Sequence, residues 1–190
     1  VRKSILLVGF LVALSVLGVN MGPMVAAIGA AGLVLGLALQ GTLGNLASGL
    51  MIMIFRPFDV EDVVLTAGAH GRVMGMTLMT TTIRTMDNRT VHVPNSMVWG
   101  DVITNITANG TRRVDMVFGI GYGCDFARAR EVLLEILTSH EKVLDDPEPN
   151  VRVHELGDSS VNLITRPWVH TPDYWEVMWD VTEAVKRRFD

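Results

Sequence analysis

A helical membrane segment followed by a small β domain and an α+β domain is the fold class this sequence predicts, and three observations carry it. From Ser4 to Phe55 there is no Asp, Glu, Lys, Arg or His. After Arg56 the charge density becomes that of an ordinary soluble protein, in short Val/Thr/Met-rich runs separated by turn residues. Beyond about residue 110 such runs alternate with helical patterns. The composition agrees, being 49% hydrophobic and 19% charged, where soluble domains carry about a quarter charged residues.

Arg2-Lys3 before an apolar run also fits a secretory signal, but such a run spans ~7–15 residues and ends in a small-residue cleavage site. Here the apolar character resumes after Asn20-Met21-Gly22-Pro23 and continues to Phe55. Two membrane helices are therefore predicted. The first, 1–19, falls a little short of the ~20 residues a bilayer requires, and a chain that opens on Val is expected to be truncated there. The second, 24–57, exceeds one perpendicular crossing, so it must bend, tilt or leave the membrane. Arg2, Lys3 and Arg56 flank the pair and the loop between is uncharged, which places both outer ends, and the soluble region, in the cytoplasm. The single Cys124 has no intrachain disulfide partner, which agrees with a reducing compartment; its ordinary role is that of a small buried apolar residue.

Within the second segment small residues recur at helical spacing: Ala26, Gly29, Ala30, Gly32 and Gly36. Small side chains let helix backbones approach where lipid supplies no hydrophobic drive. Leu33, Leu37 and Gln40 follow at steps of four and three, so they share a face. If several copies pack through their small faces, that stripe lines a lumen, and leucine rings one turn apart form a constriction that blocks ions by dewetting. A helix buried in an ordinary membrane bundle carries similar spacing. Gly41, Gly44 and Gly49 then interrupt the segment; a kink is expected at Gly41. Residues 42–55 are expected to lie along the inner membrane surface, ending where Arg56 snorkels and Pro57 stops the helix.

The ordered series Gly29-Ala30-Ala31-Gly32-Leu33, Gly36 to Gly41, Asn45 to Gly49, Phe55-Arg56-Pro57-Phe58 and Val93-Pro94-Asn95 resembles the small-conductance mechanosensitive channel family. Arg84-Thr85, Glu155-Leu156-Gly157, Ser159-Ser160, Trp179-Asp180-Val181 and Lys186 to Asp190 extend the resemblance over nearly the whole chain. It implies a homoheptamer opened by membrane tension that releases ions and small solutes on hypoosmotic shock, in the bacterial inner membrane. Leu33 and Leu37 match the family's hydrophobic seal, Gly41 its principal kink and Gly49 a second bend. Asn45 matches a contact to the lipid-facing helices; Ala26 and Ala30 match packing alanines, and Gly29, Gly32 and Gly36 the glycines that receive them. Val34 departs from a third packing alanine and Gly44 from a common serine. The resemblance further implies a membrane helix before Val1 and a short strand after Asp190. Asp59, where the family often has a basic residue, is expected to shift preference toward cations unless it faces outward or pairs with Arg56 or Arg72.

In the soluble region, strands are predicted at Val63–Leu65, Arg72–Leu78, Thr80–Thr85 and Thr90–Val93, with a turn at Met86-Asp87-Asn88. These make a β domain over 58–109. Strands at Arg113–Tyr122, Val151–Glu155 and Val161–Val169, with helices at Asp125–Ser139 and Tyr174–Arg188, give the order βαββα over 110–190. The resemblance makes the first an Sm-like barrel and the second a ferredoxin-like fold, together enclosing a vestibule with side openings.

Other chemistry finds little support. His70, His92, His140, His154 and His170 lack ligand-like spacing with Cys124 or one another, so no metal is expected. Gly119 to Gly123 lacks the dinucleotide spacing and the Lys-Ser/Thr of a P-loop, and Ser159-Ser160 lacks the nucleophile frame. Sequon patterns at Asn88, Asn105 and Asn109 are idle in a cytoplasmic location. No enzyme activity or cofactor is expected. Two alternatives are a membrane-anchored structural or signalling oligomer and an RNA-binding Sm-like module, the latter disfavoured by a net charge of −4 without a basic stripe. The expected partners are further copies of the chain, membrane lipids and permeating solutes, not nucleic acid.

Overall fold

The computed structural model describes residues 20–189, together with Arg2 and Gly9. The first membrane segment predicted at 1–19 lies, apart from those two residues, outside them. Helix α1 runs from Gly22 to Phe55. Pro23 sits in its first turn, where a missing N–H costs nothing because that donor has no intrahelical partner. Arg56 ends it in the left-handed conformation, φ 46°, with its N–H returned to the Ile52 carbonyl at 2.8 Å. The helix thus begins two residues before the predicted 24 and stops at Phe55, because a left-handed residue followed by Pro57 cannot propagate it. It is one α-helix throughout, Gly41 and Gly49 included.

Strands β1 (Val63–Thr66), β2 (Ala69–Met76), β3 (Thr80–Thr85), β4 (Thr90–Pro94) and β5 (Thr104–Asn105) form one sheet in the order β4-β3-β2-β1-β5. Helix α2 (Asn95–Gly100) follows β4. Strands β6 (Thr111–Arg113) and β10 (Trp168–His170) pair with each other, and β7 (Met116–Ile120), β9 (Val161–Thr165) and β8 (Val151–Leu156) make a third sheet in that order. Helix α3 is Phe126–Ser139 and α4 is Tyr174–Phe189, preceded by one 3-10 turn at Thr171–Asp173.

The chain divides into two compact units, Val1–Glu61 with Thr66–Ile103 and Asp62–Leu65 with Thr104–Asp190. The first buries Ile52, Phe58, Val73, Ile83, Val93 and Val98. Within it β2 crosses β3 so closely that a Cβ on Gly71 would stand 2.1 Å from the Arg84 carbonyl oxygen, and the register then shifts between Val73 and Gly75. The second unit centres on Leu133, Leu137, Leu163, Val169, Val177 and Val181. In α3 the buried residues Val132, Leu133, Ile136 and Leu137 fall on one face, and in α4 Val177, Val181 and Val185 recur every four, the spacing that aligns side chains along a helix. Asp125 caps α3, its carboxylate accepting from Ala127 N at 2.9 Å and Arg128 N at 3.2 Å.

Three expectations need correction. The strand predicted over Arg113–Tyr122 breaks at Val114-Asp115, because β6 pairs with β10 and β7 with β9. The strand predicted over Val161–Val169 breaks at Arg166-Pro167, where proline has no N–H for a ladder. Cys124, expected to be buried, is exposed: it lies in the turn before α3, whose Gly121 carbonyl accepts from Cys124 N at 2.9 Å, not on a core face.

Candidate functional site: an apolar helix seated on a β unit

Helix α1 has 34 residues, and its most apolar 18-residue stretch has a mean hydropathy of 2.0, so by length and composition it could cross a membrane. At about 1.5 Å per residue it extends about 51 Å, well beyond a ~30 Å hydrocarbon core. Burial divides it. Residues 22–43 are exposed on every face, whereas Asn45, Gly49 and Ile52 are half-buried or buried on the side turned to the β unit.

Within the exposed part, 3.6 residues per turn puts Leu33, Leu37 and Gln40 on one line, with Ala26 continuing it. Ala30 lies on one flank of that line and Gly29, Gly32 and Gly36 on the other. Leu33 and Leu37 are 65% and 63% exposed, far more than apolar side chains keep in a folded interior. At Gly29, Gly32, Gly36 and Gly41 a Cβ would meet open space. The helix therefore has one bare flank and one methyl-bearing flank beside its leucine line.

The seated part has a different chemistry. Asn45 donates through Nδ2 to the Gly41 carbonyl at 3.0 Å and accepts at Oδ1 from the Ser96 backbone N–H at 2.9 Å, in the first turn of α2. Its amide thus joins the helix carbonyl at the expected kink to the soluble unit. The expected contact of Asn45 to lipid-facing helices falls outside the described residues. Asn95 is fully buried and satisfied: Oδ1 accepts from Thr81 Oγ1 at 2.9 Å, Nδ2 donates to the Thr77 carbonyl at 3.0 Å, and its N–H donates to the Met79 carbonyl at 2.9 Å. Gly49 packs against this network, so close to Leu78 and Asn95 that no side chain fits. Sequence reasoning missed α2 and this seat, because six residues are too few to show a helical period and Pro94 stands at the N-cap, with no side-chain cap to mark the start.

At the end of α1, Arg56 and Asp59 form an exposed ion pair at 2.6 Å, and Arg72 reaches Glu61 at 3.2 Å. Exposed pairs of this kind contribute about 0–1 kcal/mol. Asp59 is therefore half of a pair, one of the two dispositions weighed from sequence, and any field it exerts is the field of that pair. Among the described residues no group of three acidic, His or Cys side chains is arranged to hold a metal ion.

An exposed apolar helix hydrogen-bonded into a β unit is a candidate membrane-spanning segment carried on a folded scaffold. Residues 41–108 match the mechanosensitive ion channel beta-domain and residues 114–190 the mechanosensitive ion channel MscS C-terminal domain. The chain belongs to the MscS family of mechanosensitive channels, a family of ion channels and not of enzymes. It is 39% identical over 98% of its length to an uncharacterized MscS family protein of Synechocystis, and 36% identical over 85% to a small-conductance mechanosensitive channel of Edwardsiella ictaluri. These matches span 63% and 56% of the two relatives' own lengths. The fold matches the crystal structure of Helicobacter pylori MscS in its closed state with a TM-score of 0.88 at 28% identity, covering 97% of this chain and 74% of that one.

Proposed function

We propose that this chain is the pore-lining and cytoplasmic part of a channel subunit opened by membrane tension. The observation that carries the reading is α1 itself: an apolar helix exposed on all sides from 22 to 43, with a leucine line between a bare flank and a methyl flank. Copies of the chain, expected to number seven, pack glycine flank against alanine flank and turn Leu33 and Leu37 inward. Two apolar rings one turn apart then stop ions by dewetting.

Tension does work on any state with a larger in-plane area, so stretching the bilayer shifts the population toward an expanded pore. Gly41 is the hinge in this scheme, since it lies at the boundary between the free and seated parts of α1. Opening releases ions and small solutes on hypoosmotic shock across the bacterial inner membrane, with the soluble units, Sm-like and ferredoxin-like, in the cytoplasm. The mechanism uses no cofactor and no bond chemistry. Excised-patch recordings of the channel under a pressure ramp test it: conductance steps that appear with suction are expected, and verified surface expression without any tension-activated current overturns the reading.

A further inference from the structure

The seated third of α1 has a second face. Opposite the Asn45, Gly49 and Ile52 side, residues Leu43, Ala47, Leu50 and Ile54 recur at steps of four, three and four, and all are exposed. This stripe widens at the C-terminus to Phe55, whose ring stacks on Trp99 of α2 at 5.7 Å between centroids and an interplanar angle of 28°. Phe55 is 65% and Trp99 37% exposed. Helix α2 carries no charged residue, and its Met97 is also exposed. Among the described residues the indole N–H of Trp99 meets no protein acceptor.

We propose that Trp99 is a membrane-surface anchor contributed by the soluble unit, its occupant being the headgroup and upper acyl region of the bilayer. The inference rests on reading α1 as a membrane helix, and it adds a contact that the helix alone does not provide. Three features select lipid over water or a second copy. The stripe is continuous with the spanning segment, so an apolar medium covering Leu43 extends over Leu50 and Ile54 without a break. Trp99 has one side on an aromatic ring and is exposed, with an indole N–H that meets no acceptor among the described residues, the combination that concentrates tryptophan at membrane–water boundaries. Arg56 stands immediately beyond Phe55 with its side chain 69% exposed, placed to reach the headgroup layer. Seen this way, the bilayer grips the soluble unit directly at α2, next to the Ser96 N–H that holds Asn45.

The test uses the channel reconstituted in phosphatidylcholine vesicles whose lipids carry bromine on the acyl chain near the headgroup. The chain has four tryptophans, so the emission of Trp99 is taken as the difference between wild type and Trp99→Phe, and a variant with Trp168, Trp175 and Trp179 changed to Phe gives it independently. Bromine is expected to remove about half or more of the Trp99 emission, as for a ring at the interface. Emission unaffected by bromolipid but quenched by aqueous iodide means a solvated ring, and emission unaffected by both means a ring covered by a second copy; either result overturns the proposal. Pressure-activated current in the same vesicles is read separately. A conducting channel with an unquenched Trp99 loses this contact alone, and a quenched Trp99 without current retains it while the channel reading fails.

Discussion

A Cβ placed on Gly49 would stand 2.3 Å from the Leu78 carbonyl oxygen and 2.5 Å from Asn95 Nδ2. Neither atom can yield easily, since one is backbone and the other belongs to a buried side chain held by two hydrogen bonds, with a third from its own backbone N–H. Gly49→Ala is expected to lose about 1–3 kcal/mol through forced displacement. At Gly41 a Cβ meets nothing within 4 Å, and alanine there gains up to about 1 kcal/mol of helix propensity. Thermal unfolding of the purified channel followed by circular dichroism separates the two; equal effects would refute the packing role assigned to Gly49.

The free part of α1 makes a different prediction. Leu37→Ser keeps the helix but puts a hydroxyl into one of the two apolar rings of the proposed pore, where wetting is what opens it. The pressure threshold is expected to fall relative to wild type at equal expression, and Leu33→Ser is expected to act in the same direction. An unchanged threshold in both removes the leucine line from the gate.

How much of this was legible in the sequence depends on the range over which each signal acts. The absence of charge from Ser4 to Phe55 and the turn residues between β2, β3 and β4 are local, and the strand over Thr80–Thr85 was placed to the residue. Packing that joins distant segments was not. Gly49 is expected from the resemblance to be a second bend, and the sequence does not show that its bare backbone also admits Leu78 and Asn95, because a missing side chain looks the same in either case. Arg113 to Tyr122 reads as one strand because Val114, Met116, Val117, Phe118 and Ile120 outweigh the interruptions at Asp115 and Gly119; the break at Val114 comes from its two ends pairing with different partners. Asp59 could be placed beside Arg56 by spacing alone, but their pairing is a matter of backbone direction after the left-handed Arg56.

Lys142 gives a pH dependence in the C-terminal unit. Its Nζ lies 2.5 Å from Glu176 Oε2 and 3.3 Å from Asp173 Oδ1; Glu176 above all raises its pKa above the usual lysine value, burial opposes that, and Asp173 adds a lesser rise. A pKa raised on folding means stability that is fully present below the unfolded value and is lost as pH rises through the folded one. The melting temperature of wild type is therefore expected to fall on the alkaline side of the ordinary lysine range more steeply than that of Lys142→Gln. Parallel alkaline profiles in the two proteins would leave Lys142 without this role.

The last prediction concerns charge at the foot of α1. Arg56 and Asp59 are paired at 2.6 Å, with side chains 69% and 57% exposed, so together they present a dipole and no net charge. In the proposed assembly each change at either position is repeated in every copy around one axis, and a charge of uniform sign near the permeation path raises the local concentration of its counter-ion. Arg56→Gln leaves the carboxylate and is expected to move the reversal potential in asymmetric KCl toward cation preference. Asp59→Asn leaves the guanidinium and moves it toward anion preference, and Asp59→Arg moves it further in the same direction. The double variant Arg56→Gln with Asp59→Asn returns close to wild type, because it removes both halves of the pair. Exposed charges are screened over about 10 Å at 0.1 M salt and about 3 Å at 1 M, so all of these shifts shrink when both solutions are made more concentrated. Shifts of the same sign for Arg56→Gln and Asp59→Asn, or shifts that ignore ionic strength, would exclude the pair from ion selection and leave it a cap on the end of the helix.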